Sequence, residues 1–229
     1  MSDNVITIEK TICVDDFSSK YNLSIEKQND LYKNSLFFDL EHYIYKKPIC
    51  LGVFGCCYYE ERTHELKVTQ YMIENEKEAI EILYLAKAYF DKMILRQGKK
   101  HIVTFSGNND FVVINYLFNK YNIDFKVEDN FNSIDLQKQY EKETGCCVGL
   151  KALEKEFGII RESELISGSN LAKTFQKIMK DEEYGNRMPK EKKEKILLYN
   201  EQDVVSLFHM YVNWNRVEKS KGKILNCPQ

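Results

Sequence analysis

The stretch SLFFDLEHYIY, residues 35–45, decides the fold. It reads as a strand made for a buried sheet, yet it carries two carboxylates, Asp39 and Glu41. Residues two apart on a strand project from the same face, so this pair points one way and Leu40 the other. An exposed strand face is the ordinary reason for such a pair. Here Phe37 and Tyr43 share the carboxylates' side, so that side is at least partly covered. Two uncompensated carboxylates in such a place raise one another's pKa and cost stability. A divalent cation between them removes that cost.

Working outward, two more strand-like runs follow, PICLGVFGCCYYEE (48–61) and ELKVTQYMI (65–73). The short polar connections KKP and RTH predict an antiparallel meander. EKEAIEILYLAKAYFDKMILRQG (76–98) reads as a helix, with apolar residues at Ile80, Leu83, Tyr84, Ala88, Met93 and Leu95, stopped by Gly98. HIVTF (101–105) reads as a short buried strand, and DFVVINYLFNKYN (110–122) as a helix. NSIDLQKQYEKE (132–143) reads as a strand end passing into a helix capped by Asp135. The last third is helical, broken at SGSN and YGNRMP, with a final long helix from about Pro189. Residues 1–34 read as a polar lead-in, irregular or partly ordered. The expected class is α/β: three antiparallel strands feeding a helix and then a further strand are the order of a mixed sheet flanked by helices. There is no internal repeat and no low-complexity linker.

The chain has 229 residues, enough for one generous domain, and 43% hydrophobic and 13% aromatic residues can fill a large core. A net charge of -2 excludes coating nucleic acid by bulk charge but allows a local basic groove. Seven cysteines without zinc-type spacing point to buried thiols in a reducing cytoplasm. The start, MSDNVITIEK, has no basic patch followed by an apolar core, so no signal peptide is expected. The longest apolar stretch, ICLGVFGCCYY, is too short to span a bilayer, so no membrane partner is expected.

Two further acidic elements accompany the first. In TFSGNNDF (104–111), Asp110 stands where a strand has ended and a helix begins, after small and amide residues that allow a tight turn and close approach to a phosphate. A helix cap is the bland reading of that Asp. In YNEQDVVSLF (199–208), Tyr199 and Asp203 are four apart and share a helix face. A solvated helix surface is the bland reading of that Asp, as it is of the charge run PKEKKEK (189–195).

In this order the three elements resemble the DEDD superfamily of 3'-5' exonucleases on the ribonuclease-H-like fold, and most closely its YprB-like branch. The motifs are FFDLE, TFSGNNDF and YNEQDV, supported by SIDLQKQY, GLKALEKEFGI and RESELISG. The resemblance covers about residues 35–214, within an exonuclease domain expected at 35–216 and followed by a tail at 217–229. It implies that the later strands of the sheet are parallel, and that Asp39, Glu41, Asp110 and Asp203 hold two Mg²⁺ or Mn²⁺ ions. The tyrosine-type branch carries a Tyr four residues before the last Asp, and Tyr199 matches it, whereas the His of the other branch is replaced by Leu198. The second motif departs from the family in reading Asp110-Phe111, with the aromatic after the Asp.

The implied reaction is hydrolysis of a phosphodiester at the 3' end of DNA or RNA, a single strand being the expected partner. Two ions about 4 Å apart serve both the attacking water and the leaving oxygen, and hard carboxylate oxygens suit them. Asp39, mid-strand, is expected to bridge the ions. Tyr199 is expected to orient water, because an unperturbed phenol with a pKa of about 10 is a weak base. Leu40, Asn108 and Asn109 are expected to contact substrate. Two other readings stay open: a catalytically lapsed nucleic-acid-binding or scaffold module, and an endonuclease of the same fold.

Overall fold

The computed structural model describes residues 5–162 and 167–217. Parts of the expected tail (218–229) and of RESELISG (163–166) lie outside the described residues. A six-stranded sheet in the order β1-β4-β3-β2-β5-β6 forms the centre. Its strands are β1 (Ile6–Cys13), β2 (Ser35–Tyr45), β3 (Lys47–Glu60), β4 (Glu65–Met72), β5 (His101–Thr104) and β6 (Asn132–Asp135). β2, β3 and β4 are the antiparallel meander, and β5 and β6 add to β2 in parallel. The helices are α1 (Glu78–Gln97), α2 (Asn108–Lys120), α3 (Val127–Asn130), α4 (Leu136–Thr144), α5 (Leu150–Glu156), α6 (Gly168–Ile178), α7 (Tyr184–Arg187) and α8 (Lys190–Val212). The fold is α/β, with helices on both sides of a mixed sheet.

Strand β2 has neighbours on both edges and is covered on both faces, so Leu36, Phe37, Phe38 and Leu40 are all buried. Its even positions pack with Phe54 and with Phe90 of α1. Phe37, on the odd side, meets Phe208 and Tyr211 of α8 edge-on. This alternation leaves Asp39 and Glu41 facing α8. The β2–β3 register shifts just after Glu41, an irregularity of the kind that re-aims side chains beside functional sites.

Three expectations need correction. The lead-in is not irregular throughout: Ile6–Cys13 pairs along its whole length with β4. Its polar residues are those of an edge strand, where charge and Thr blunt the open side. Residues 17–34 also belong to the fold, since Leu23 N donates to Tyr211 O at 2.8 Å and Asn215 N to Tyr21 O at 2.8 Å. In α1 the buried stripe is Ala79, Ile82, Leu83, Ala86, Tyr89, Phe90 and Met93. Of the positions expected inside, Ile80, Tyr84, Ala88 and Leu95 are exposed instead, because the helix is apolar on more than one side and packing selects the stripe. Third, the side chain of Leu40 is 5% exposed and lies in the core across the sheet from the carboxylates, so it does not line their site.

Candidate active site

Ligand oxygens of Asp39, Glu41 and Asp203 all lie within 4.8 Å of one another. Two come from β2 and one from α8, so the group exists only because α8 packs on the odd face of β2. The supporting contacts begin at Gly55 of β3, opposite Asp39 in the ladder. A Cβ there would come within 2.0 Å of Asn200 Oδ1, so only glycine lets α8 approach. Asn200, fully buried, donates to Asp39 Oδ2 at 3.0 Å and accepts from Gln70 Nε2 at 2.8 Å. Gln70 Nε2 also donates to Leu197 O at 2.8 Å, tying β4 to the helix.

Two cations close the other side. Lys151 of α5 and Arg161 both pair with Asp203 Oδ1. Arg161 also grips Glu154, with Nε to Oε2 at 2.8 Å and Nη2 to Oε1 at 2.5 Å. Both cations sit over the Tyr199 ring, Lys151 at 4.5 Å and Arg161 at 5.2 Å from its centroid.

Asp110 sits apart from the three-carboxylate group. It occupies the first turn of α2 without capping it, and its Oδ1 lies 3.7 Å from His42 Nε2. The preceding turn is held by Ser106, at φ 57°, whose N–H donates to Asp135 Oδ1 at 3.0 Å. Asp135 also caps α4, accepting from the N–H groups of Gln137 and Lys138 as its position predicted. Asn109 reaches the same His42 Nε2 at 3.2 Å, and Asn108 accepts from Lys138 at 3.1 Å; both amides are exposed beside the site.

Burial and mutual repulsion show in the proton affinities. Burial first, then Asp203, Glu41 and Asp110, push Asp39 well above the ordinary carboxylate range, against the Asn200 hydrogen bond. Burial, Asp203 and Asp110 raise Glu41 to about 8, with Lys151 and Arg161 opposing. Asp110 rises to about 7 through burial, Asp135 and Asp203. Asp203 is also raised by burial, held back by its two cations. Burial, then Asp203, Glu41 and Asp39, raise the Tyr199 phenol as well, so it keeps its proton at neutral pH. Carboxylates so perturbed within one cluster mark a candidate functional site. Hard oxygen donors that repel each other when ionised fit a divalent cation of the Mg²⁺ or Mn²⁺ kind.

The structure thus brings together Asp39, Glu41, Asp203 and Tyr199, with Asp110 within electrostatic reach. Reading the sequence missed Lys151, Arg161, Asn200, Gln70 and Gly55. The first two lie within GLKALEKEFGI and RESELISG, so the segments were visible while the atoms' destination was not. No helix among the described residues is long and apolar enough to cross a membrane.

A search of curated proteins finds none that matches the chain. Among protein families, the RNase_H_2 model of the RNase H superfamily matches residues 36–215. That span runs from Leu36 of β2 through α8 and holds every carboxylate of the site. The six-stranded mixed sheet carries the architecture of that superfamily, whose fold is one of nucleic-acid-processing nucleases. The chain belongs to the RNase H superfamily.

Proposed function

We propose that the chain is a metal-dependent 3'-5' exonuclease acting on DNA or RNA, of the tyrosine type within the DEDD exonucleases and of their YprB-like branch. The observation that carries this reading is the convergence of Asp39, Glu41 and Asp203 within 4.8 Å at a buried junction of strand and helix. Asp39, Glu41 and Asp203 would hold divalent metal directly, with Asp110 completing the set from α2. Two bound Mg²⁺ or Mn²⁺ ions would acidify a water and neutralise charge on the leaving oxygen. Tyr199, protonated, donates through its hydroxyl and orients the attacking water without removing its proton. Lys151 and Arg161 bring positive charge to the edge of the carboxylate group, where an anionic phosphate must enter. Asn200 keeps the Asp39 carboxylate in one orientation. Asn108 and Asn109, at the start of α2, present amides to the entering strand.

The test is hydrolysis of end-labelled single-stranded DNA and RNA by the purified protein with Mn²⁺, beside Asp39→Asn and a circular substrate. Stepwise loss of 3' nucleotides by wild type alone supports the reading. Cleavage of the circle would make the protein an endonuclease. One observation favours the lapsed, binding-only alternative: Asp203 is already neutralised by Lys151 and Arg161. That alternative predicts oligonucleotide binding with no hydrolysis under any metal.

A further inference from the structure

A groove of about 530 Å³ lies between α6 and the first turns of α8, lined by Lys173, Thr174, Lys177, Tyr184, Lys192 and Lys195. Among the described residues its only carboxylate is Glu191. Neighbouring acids are engaged elsewhere, Glu194 by Lys190 at 3.5 Å and Glu74 by Lys193. The four groove lysines make no ion pair among the described residues. Lys192 Nζ donates to the Tyr184 hydroxyl at 3.1 Å, and Lys177 and Lys192 lie 5.5 and 5.6 Å from that ring's centroid. A protein with net charge -2 has here gathered unneutralised cations on facing helices.

The groove is aligned with the carboxylates. On α8, Lys192, Tyr199 and Asp203 are separated by seven and then four residues, so they fall on one stripe of the helix, with Lys195 one turn before Tyr199. The eight residues from Lys195 to Asp203 span about 12 Å along the axis. The other wall is anchored to the strand that carries the acids: Gln176 of α6 donates to the Tyr43 hydroxyl at 2.8 Å, two residues beyond Glu41. Phe175 packs over Gly52 of β3, where a Cβ would come within 2.5 Å of the ring.

We propose that this groove is the track for the phosphate backbone of a single-stranded nucleic acid whose end lies at Asp39, Glu41 and Asp203. The proposal rests on the nuclease reading for its destination but not for its chemistry. Lysines on flexible stems contact phosphates without reading bases, so the track is indifferent to sequence. The volume suits a short run of one strand, being in the range that holds one drug-sized ligand, and it is too small for a duplex.

The test is fluorescence anisotropy of a 5'-labelled single-stranded oligonucleotide with the full chain, in chelator so that nothing is cleaved, over a series of salt concentrations. Each phosphate contact contributes about 0.7 to the slope of log affinity against log salt for a single strand. Lys173→Gln, Lys177→Gln and Lys195→Gln combined should flatten the slope by about 2, and the same positions as Arg should restore it. All three side chains are exposed, and a thermal melt checks that the variant folds. Lys92→Gln, exposed on α1, should leave the slope as in wild type. A triple variant with the wild-type slope, or a slope lowered equally by Lys92→Gln, overturns the groove. So does a wild type that binds no oligonucleotide. Hydrolysis by a wild type whose triple variant binds unaltered sinks the groove alone. Slope loss in a protein that never hydrolyses sinks the exonuclease reading alone.

Discussion

Asp203 and Tyr199 share a helix face but hold different things, and their substitutions should separate accordingly. Asp203 bears the charge that meets Lys151, Arg161 and the other two carboxylates. Asp203→Asn should therefore lower hydrolysis to background at every pH, measured by single-turnover cleavage of an end-labelled oligonucleotide. Tyr199→Phe keeps the ring beneath its two cations and removes only the hydroxyl. Positioning and proton-transfer help of that kind is worth about 10²- to 10⁴-fold, so this variant should be slow but measurable, with metal titration by calorimetry unchanged. Unimpaired cleavage would make Tyr199 a packing residue. Asp110 offers a third contrast. Since its side chain does not cap α2 and burial disfavours its charged form, Asp110→Asn should leave the melting temperature no lower than wild type while removing most activity; retained hydrolysis would take it out of the ligand set. Gly55 has no chemistry at all, yet Gly55→Ala should displace Asn200 and with it Asp39. Overpacking of this kind costs about 1–3 kcal/mol, so a lower melting temperature should accompany the lost activity, and a variant indistinguishable from wild type would sink this account of the α8 contact.

Among the elements, α8 and β1 show how far local pattern carries. Helix α8 was readable from Pro189 onward because a long apolar stripe with a proline start has few alternatives. Strand β1 was not, although Ile6 and Ile8 alternate with polar residues, because an edge strand needs a partner to be recognised. That partner, β4, lies about 60 residues further along the chain, as in the pairing of Ile6 with Met72. Lys10 then reaches Glu201 of α8 at 2.5 Å, tying this edge to the helix that carries Asp203. Deleting residues 1–13 should expose the hydrogen-bonding edge of β4, lower the melting temperature and promote association through the open strand. Size-exclusion chromatography and a melt check it; a monomer of unchanged stability would make β1 dispensable.

For the molecule as a whole, the acid cluster makes stability depend on pH and metal. Glu41 moves from 4.5 to about 8 and Asp110 from 3.8 to about 7, both chiefly by burial, and Asp39 moves in the same direction. Folded-state values above the unfolded ones mean that folding takes up protons. The contribution is then fully present below about pH 4 and is lost as pH rises through 7 and 8. The metal-free protein should therefore melt at lower temperature at pH 8 than at pH 5. Millimolar Mn²⁺ or Mg²⁺ should recover much of the loss at pH 8, since a cation bound only by the folded state stabilises it by mass action. Asp39→Asn should show a smaller response to both pH and metal. A wild-type melt insensitive to metal, or shifted no more than that of Asp39→Asn, would remove the cation site.

The sequence by itself determined the meander, the helix after it, the two later strand segments, the Asp135 cap and the facing of Asp39 with Glu41. All of these follow from short-range periodicity and from turn or cap chemistry within a few residues. Only the tertiary structure decided that Asp203 joins them, that Lys151 and Arg161 hold it, and that Gly55 leaves room for Asn200. Each of those contacts joins segments far apart in the chain. Their geometry comes from how α8 and α5 seat on the sheet, and no local pattern encodes where a side chain on one element ends relative to an atom on another.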